Sequence, residues 1–154
     1  MKTIMAFSDS HGSHEEIERL IPIMNSVDYI FFLGDGSNDV KLLKNIFKDK
    51  IFVVRGNCDF SEDKLIEELV IENCKIVLTH GDLFSVKQSF DKIKEQFKES
   101  DVVFFGHTHS GFIDLKGRPI LVNVPSLSFR KSIPGYVFAT VNENKFFAKI
   151  VNLF

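Results

Sequence analysis

The sequence predicts an α/β protein in which two β-sheets pack face to face with helices outside. Three observations carry that expectation. Up to residue 105 short apolar runs alternate with helical patterns. After His109 the helical patterns stop, and apolar runs joined by turn residues take over. Several of the earlier runs also end at a glycine or turn followed by Asp, Asn or His, which is how α/β sheets present ligands at strand ends.

Residues 3–7 read as a strand ending at Ser8-Asp9-Ser10-His11-Gly12. Ser13 and Glu16 have capping-box spacing, and Ile17, Leu20, Ile21 and Met24 form the stripe of a helix lying on a core. Residues 29–33 make a second apolar run that stops at Gly34-Asp35-Gly36, placing Asp35 just past a strand's carboxyl end. Residues 40–47 read as a short helix capped by Asn38 or Asp39. Residues 51–54 read as a strand running into Arg55-Gly56-Asn57-Cys58-Asp59.

Residues 69–71 and 75–79 are strand candidates about a Glu72-Asn73 turn, the second ending at His80-Gly81-Asp82. Val86, Phe90, Ile93 and Phe97 predict an amphipathic helix ending near Ser100. Residues 102–105 are a fully apolar strand before Gly106-His107-Thr108-His109. The runs 112–115, 119–124, 136–141 and 146–151 are expected as antiparallel sheet, with turns at Lys116-Gly117 and Asn142-Glu143-Asn144.

Composition bounds the function. With 154 residues, 44% hydrophobic and 26% charged, the chain is expected to be a single domain over 1–154, with 17 Phe supplying core bulk. A net charge of −2 gives no general basic field for long nucleic acid or an anionic membrane. Cys58 and Cys74 fit neither a disulfide framework nor a zinc pattern, which points to free thiols in a reducing compartment. The opening apolar stretch is too short for a signal peptide, and no run approaches the roughly 20 residues of a membrane span. A cytoplasmic location is the expectation.

Taken singly, an Asp before a helix is a cap and a His after a strand is a hydrogen-bonded loop residue. The set outweighs those readings. His11, His80, His107 and His109 all lie at the ends of apolar runs, together with Asp9, Asp35 and Asn57. Imidazole and carboxylate suit Mn, Fe, Co, Ni and Zn, while the absence of thiolates argues against a structural zinc site. Such a ligand set is too large for one ion and suits two ions sharing a carboxylate, for which Asp35 is the candidate.

In order and spacing, Asp9-x-His11, Gly34-Asp35, Gly56-Asn57, His80-Gly81 and Gly106-His107-Thr108-His109 resemble the calcineurin-like metallophosphoesterases. Within them the chain is most similar to the small single-domain phosphodiesterases related to the retromer subunit of the same fold. The resemblance covers nearly the whole chain. It implies a four-layered αββα sandwich of two mixed β-sheets flanked by helices. It further implies that Asp9, His11 and His109 bind one metal, that Asn57, His80 and His107 bind another, and that Asp35 bridges. The implied activity is hydrolysis of phosphodiester bonds by a metal-bridging hydroxide, with Asp35, Asn57 and His80 as the catalytic set. The implied cofactors are two divalent ions, Mn2+ foremost, with Ni2+, Fe2+ or Zn2+ as alternatives.

The chain departs from that pattern at Cys58, where many members carry a His that helps protonate the leaving group. Asn123-Val124-Pro125-Ser126 stands where related phosphodiesterases often have Asn-Pro-Gly-Ser. Arg55 and Arg130 are candidate grips on a phosphate oxygen, weighed against structural ion pairs. Asn38 is a candidate substrate contact, weighed against a helix cap, and His14 reads as a solvated side chain. Asp59 and Asp82 are candidate acceptors that orient imidazoles. The expected partner is a small phosphate-ester substrate, with no long nucleic acid and no membrane, and the edge strands leave room for a homodimer. The competing readings are a protein-binding scaffold of the same fold and a nucleotide phosphatase. Intact ligands at all the expected positions favour the enzyme.

Overall fold

Two five-stranded sheets form in the computed structural model, which describes residues 1–129 and 132–154. The chain runs β1 (Lys2–Phe7), α1 (His14–Ser26), β2 (Tyr29–Phe32), α2 (Lys41–Phe47), β3 (Ile51–Val53), β4 (Ile66–Ile71) and β5 (Cys74–Thr79). It continues through α3 (Asp91–Gln96), β6 (Val102–Phe105), β7 (Phe112–Asp114), β8 (Ile120–Asn123), β9 (Gly135–Asn142) and β10 (Lys145–Asn152). The sheet orders are β10-β9-β1-β2-β3 and β4-β5-β6-β8-β7. In the first, β1, β2 and β3 are parallel and β9 is antiparallel to both β1 and β10. In the second, β5, β6 and β8 are parallel, with β4 and β7 antiparallel at the edges.

Side-chain alternation along the strands sorts the layers. Ile4, Ala6, Phe31 and Leu33 face Ile76, Leu78, Val102 and Phe104 in the core between the sheets. Met5, Phe7, Ile30 and Phe32 point the other way, onto Ile17, Leu20 and Met24 of α1 and Leu43 of α2. Val77, Val103, Phe105 and Leu121 do the same against Ile93 and Phe97. Strands buried on both faces read as unbroken apolar runs, which is why β1, β2 and β6 were legible. Phe31 and Phe104 meet edge-to-face across the central layer, with centroids 5.2 Å apart. Truncating either to Ala is expected to cost about 3–5 kcal/mol. The outcome is the αββα sandwich, with the carboxyl ends of the parallel strands carrying the ligand candidates.

Several local expectations are corrected. Ser13 precedes α1 but makes no capping bond, and α2 starts behind Val40 with no side-chain cap, so neither Asn38 nor Asp39 caps it. Asp39 instead accepts Ser10 Oγ at 2.6 Å and the Gly12 N–H at 2.8 Å. The helix expected from Val86 onward is only α3, because Ser85 adopts a left-handed φ of 51° and the chain turns there. Val86 and Phe90 still pack on Phe105 and its neighbours, so the apolar spacing reported burial without a continuous helix. β4 begins at Ile66, earlier than its apolar pattern, because backbone pairing with Thr79 continues through Glu67 and Glu68. The carboxyl-terminal strands are not one antiparallel sheet. β8 is parallel to β6 in the second sheet, while the β9–β10 hairpin completes the first.

Candidate metal centre

At the end of β1 the Asp9 N–H donates to Gly34 O at 2.9 Å, which ties the loop after β1 to the one after β2. Asp9 Oδ2 accepts Ser8 Oγ at 2.5 Å and the His107 N–H at 3.1 Å. Its other oxygen, Oδ1, is buried without a hydrogen-bond partner among the described residues. His109 Nε2 lies 3.2 Å from that oxygen and His11 Nε2 lies 3.7 Å from it. His11 Nε2 is also buried and, among the described residues, without a hydrogen-bond partner.

A second group adjoins the first. His80 Nδ1 is 2.7 Å from Leu33 O, and since a carbonyl only accepts, Nδ1 carries the proton. Its Nε2 then faces Asp35 Oδ2 at 3.2 Å and His107 Nδ1 at 3.1 Å. Asp35 Oδ1 accepts the Cys58 N–H at 2.9 Å, which aims Oδ2 inward, 4.0 Å from His11 Nε2. Within each of the groups Asp9-His11-His109 and Asp35-His80-His107 the ligand atoms all lie within 4.8 Å of one another.

The backbone is bent to achieve this. Asp9, His11, Asp35, His107 and His109 all have φ between 42° and 71°. Side chains other than glycine rarely adopt such angles, and they cluster where function over-determines the backbone. His107 and His109, two apart and so on the same side of any extended segment, therefore separate into the two groups only through these left-handed turns. Two glycines make room. A Cβ at Gly56 would lie 2.2 Å from Asp35 Oδ1, and one at Gly106 would lie 2.2 Å from Ser8 Oγ.

These residues fit a divalent cation. Donor atoms bonded to one ion at about 2.0–2.2 Å sit about 3.0–3.5 Å apart, the spacing found around His80 Nε2 and between His109 and Asp9. The buried, unpartnered Asp9 Oδ1 and His11 Nε2 would each cost free energy if left unsatisfied. A cation between them removes that cost.

Burial works against charge on Asp9, but the adjacent imidazoles of His109 and His11 and the charge of His80 outweigh it and hold the carboxyl well below its usual range. Burial likewise opposes ionisation of Asp35, and His80 outweighs it. Burial would lower the His80 pKa, yet Asp35 and Asp9 push it up to about 9. His107 is lowered, first by burial and then by the charge of His80. Without a metal, His80 is thus held protonated beside the two carboxylates.

Asp59 does not orient an imidazole. Its carboxylate accepts the backbone N–H groups of Asp35, Gly36, Ser37 and Gly56 at 2.7–2.9 Å, bracing the loops after β2 and β3 against each other. Asp82 does not take the His80 Nδ1 proton either, since Leu33 O does. Asn57 follows Gly56 with its side chain exposed and Nδ2 3.6 Å from Cys58 Sγ. Arg55 Nη1 donates to Ser61 O at 3.3 Å, and Asn38 lines an open cleft beside Asp35. Arg130 lies outside the described residues. His14 is exposed, 3.6 Å from Asp39. Asn123 and Ser126, noted only as a departure from the family pattern, have positioning roles: Asn123 Nδ2 donates to Thr108 Oγ1 at 2.7 Å, and Ser126 Oγ donates to Asp9 O at 2.8 Å.

Fold and centre together define a metal-binding αββα protein with two adjoining groups of carboxylate and imidazole ligands. More particularly, the chain belongs to the calcineurin-like phosphoesterase superfamily, whose domain model matches residues 1–144. It is 32% identical over 129 residues to a probable metallophosphoesterase of Bacillus subtilis, YsnB, covering 80% of this chain and 74% of the relative. It is 26% identical over 156 aligned residues to the Escherichia coli phosphodiesterase YfcE, covering 85% of this chain and 82% of the relative. Among solved structures, a conserved uncharacterized protein of Streptococcus pneumoniae, described as a predicted phosphoesterase, superimposes with a TM-score of 0.82 at 26% identity. That match covers 98% of this chain and 89% of the other. Membership carries the coarse assignment with it, a metal-binding phosphoesterase domain.

Proposed function

We propose that the protein is a phosphodiesterase using two divalent ions, Mn2+ foremost, with Asp9, His11 and His109 on one, Asn57, His80 and His107 on the other, and Asp35 shared. The observation that carries this reading is the position of Asp35 Oδ2, 3.2 Å from His80 Nε2 and 4.0 Å from His11 Nε2, so that one oxygen reaches a member of each group. When bound, such ions supply a hydroxide nucleophile near neutral pH and stabilise charge on phosphoryl oxygens. The chain's own residues set the conditions for that chemistry. Asp9 and Asp35 stay ionised, and Leu33 O fixes the His80 tautomer so that Nε2 offers its lone pair once deprotonated. Burial and the charges of Asp35 and Asp59 push the Cys58 thiol up, so it stays neutral. The leaving group must then depart without a positioned imidazolium, which suits small diesters with acidic leaving groups. The name of the Escherichia coli relative, a phosphodiesterase, supports the diester. The two Asp-His-His groups support the enzyme over a scaffold, and the cytoplasm is the proposed location.

The deciding experiment is the initial rate of bis-p-nitrophenyl phosphate hydrolysis by EDTA-stripped protein, with and without Mn2+, beside Asp35→Asn. Metal-dependent turnover is expected, falling by more than about a hundredfold in the variant. Absence of turnover with Mn2+, Ni2+ or Zn2+ would overturn the reading.

A further inference from the structure

Beside Asp35 a cleft of about 480 Å³ opens between the start of α2 and the loop 57–63. That volume lies within the range of small-molecule sites. Cys58 lines it and gives its N–H to Asp35 at 2.9 Å, so the cleft begins where an ester arm would leave the metal centre.

Both walls are braced. Besides the four backbone bonds to Asp59, Ser37 Oγ and Ser61 Oγ lie 3.0 Å apart, and Lys44 Nζ meets Asp63 Oδ1 at 2.5 Å. Lys44 and Asp63 neutralise each other, and Asp59 is committed to backbone N–H groups. Lys41 and Glu62 are left as the charges of the cleft without an ion-pair partner among the described residues. On the same rim the Phe60 ring is fully exposed. A lone exposed apolar side chain is ordinary. This one is carried on a braced loop at the mouth of a polar cleft, where a flat face can receive a planar ring without first being ordered.

A planar ring for Phe60, hydroxyls or ring amines for Glu62 and Asn38, and a phosphoryl oxygen for Lys41 are the parts of one ligand class. We propose that the cleft is a nucleoside-phosphate subsite, so that the substrate is a phosphodiester with a nucleoside arm. Phe60 is the stacking platform and Lys41 the anion contact that determine specificity. This rests on the phosphoesterase reading above. A simple aryl ester would use Phe60 but would leave Glu62 and Asn38 without a role.

The test is calorimetric titration of the Mn2+-loaded full chain with AMP and with ribose 5-phosphate, which share sugar and phosphate and differ by the ring. AMP is expected to bind about tenfold tighter or better, the margin typical of one stacked base. Phe60→Ala should erase that margin while leaving ribose 5-phosphate affinity within about twofold. Lys41→Ala should weaken both ligands. Equal affinity of the two ligands for the unaltered protein overturns the subsite, as does a margin that survives Phe60→Ala. Hydrolysis of bis-p-nitrophenyl phosphate by the same preparation separates the two levels. Turnover without an AMP margin removes the subsite and leaves the phosphoesterase standing, whereas no turnover with any metal removes both.

Discussion

Asp59 accepts the N–H of Asp35 at 2.8 Å through the same oxygen, Oδ2, that accepts the N–H of Gly56 at 2.7 Å. Its other oxygen accepts Gly36 and Ser37, each at 2.9 Å. Asp59→Asn keeps the shape but places an NH2 against two backbone N–H groups in either flip. Hydrogen bonds to a charged group contribute about 1.5–3 kcal/mol each, so the variant is expected to lose roughly 3 kcal/mol of stability. It should also lose about ten- to a hundredfold in Mn2+ affinity, because the loops holding Asp35 and Asn57 are no longer braced. Denaturant melts and Mn2+ titration well below the melting temperature measure the two separately. Unchanged affinity in a folded variant would show that Asp59 supports the fold alone.

The His80 pKa of about 9 implies a specific pH profile for the metal-free protein. It lies above an unfolded value near 6.5, so the stability it contributes is full below about pH 6.5 and is lost as pH rises through 9. Asp35 is depressed, so its contribution is present above about pH 4 and is lost as pH falls through its folded value. Metal-free protein is therefore most stable between about pH 4 and 6.5. A cation must displace the His80 proton, so the gain in Tm on adding Mn2+ should grow from about pH 6 to pH 8. A gain that is flat or shrinks over that range would show that this proton does not compete with metal.

What could be read in advance divides along physical lines. Asp9, His11, Asp35, His80, His107 and His109 were visible because each follows an apolar run, and strand ends are encoded locally by burial and turn residues. Their partition into two groups needed the left-handed turns at 107 and 109, which no periodicity encodes, and the family resemblance supplied what spacing could not. The helix expected from Val86 failed because its period reported which side chains are buried, while Ser85 and the turns after it decide the backbone. Asp59 and Asp39 looked like imidazole partner and cap, yet both accept from backbone N–H groups 22 to 27 residues away in sequence. Contacts of that separation leave no trace in a local pattern, and the parallel partner of β8 was hidden for the same reason.

Asn123 shows the same remoteness. Its Nδ2 donates to Thr108 Oγ1 at 2.7 Å, fixing the residue between His107 and His109, ligand candidates that belong to different groups. Asn123→Ala is expected to cost about 1–2 kcal/mol and to weaken Mn2+ binding by about tenfold. Thr108→Val also removes the two bonds between Thr108 Oγ1 and Ser110, so it should cost more, and adding Asn123→Ala to it should cost little further. Additive losses would mean that Asn123 acts through packing.

Cys58 bears on which esters react. Burial, Asp35 and Asp59 all hold its thiol in the neutral form, and it lines the cleft beside Asp35. A thiol of that kind donates a proton poorly at neutral pH, whereas p-nitrophenolate leaves without one. An imidazole at the same position would sit beside the carboxylates of Asp35 and Asp59, which favour its protonated form. Cys58→His is therefore expected to raise turnover of an alkyl phosphodiester by about a hundredfold while changing that of an aryl diester by no more than about threefold. The two rates, measured against pH, give the check. In the variant the alkyl rate should fall as pH rises through the imidazole pKa, and in the native chain it should not. An alkyl-to-aryl ratio unmoved by the substitution would mean that proton donation to the leaving group does not limit the hydrolysis.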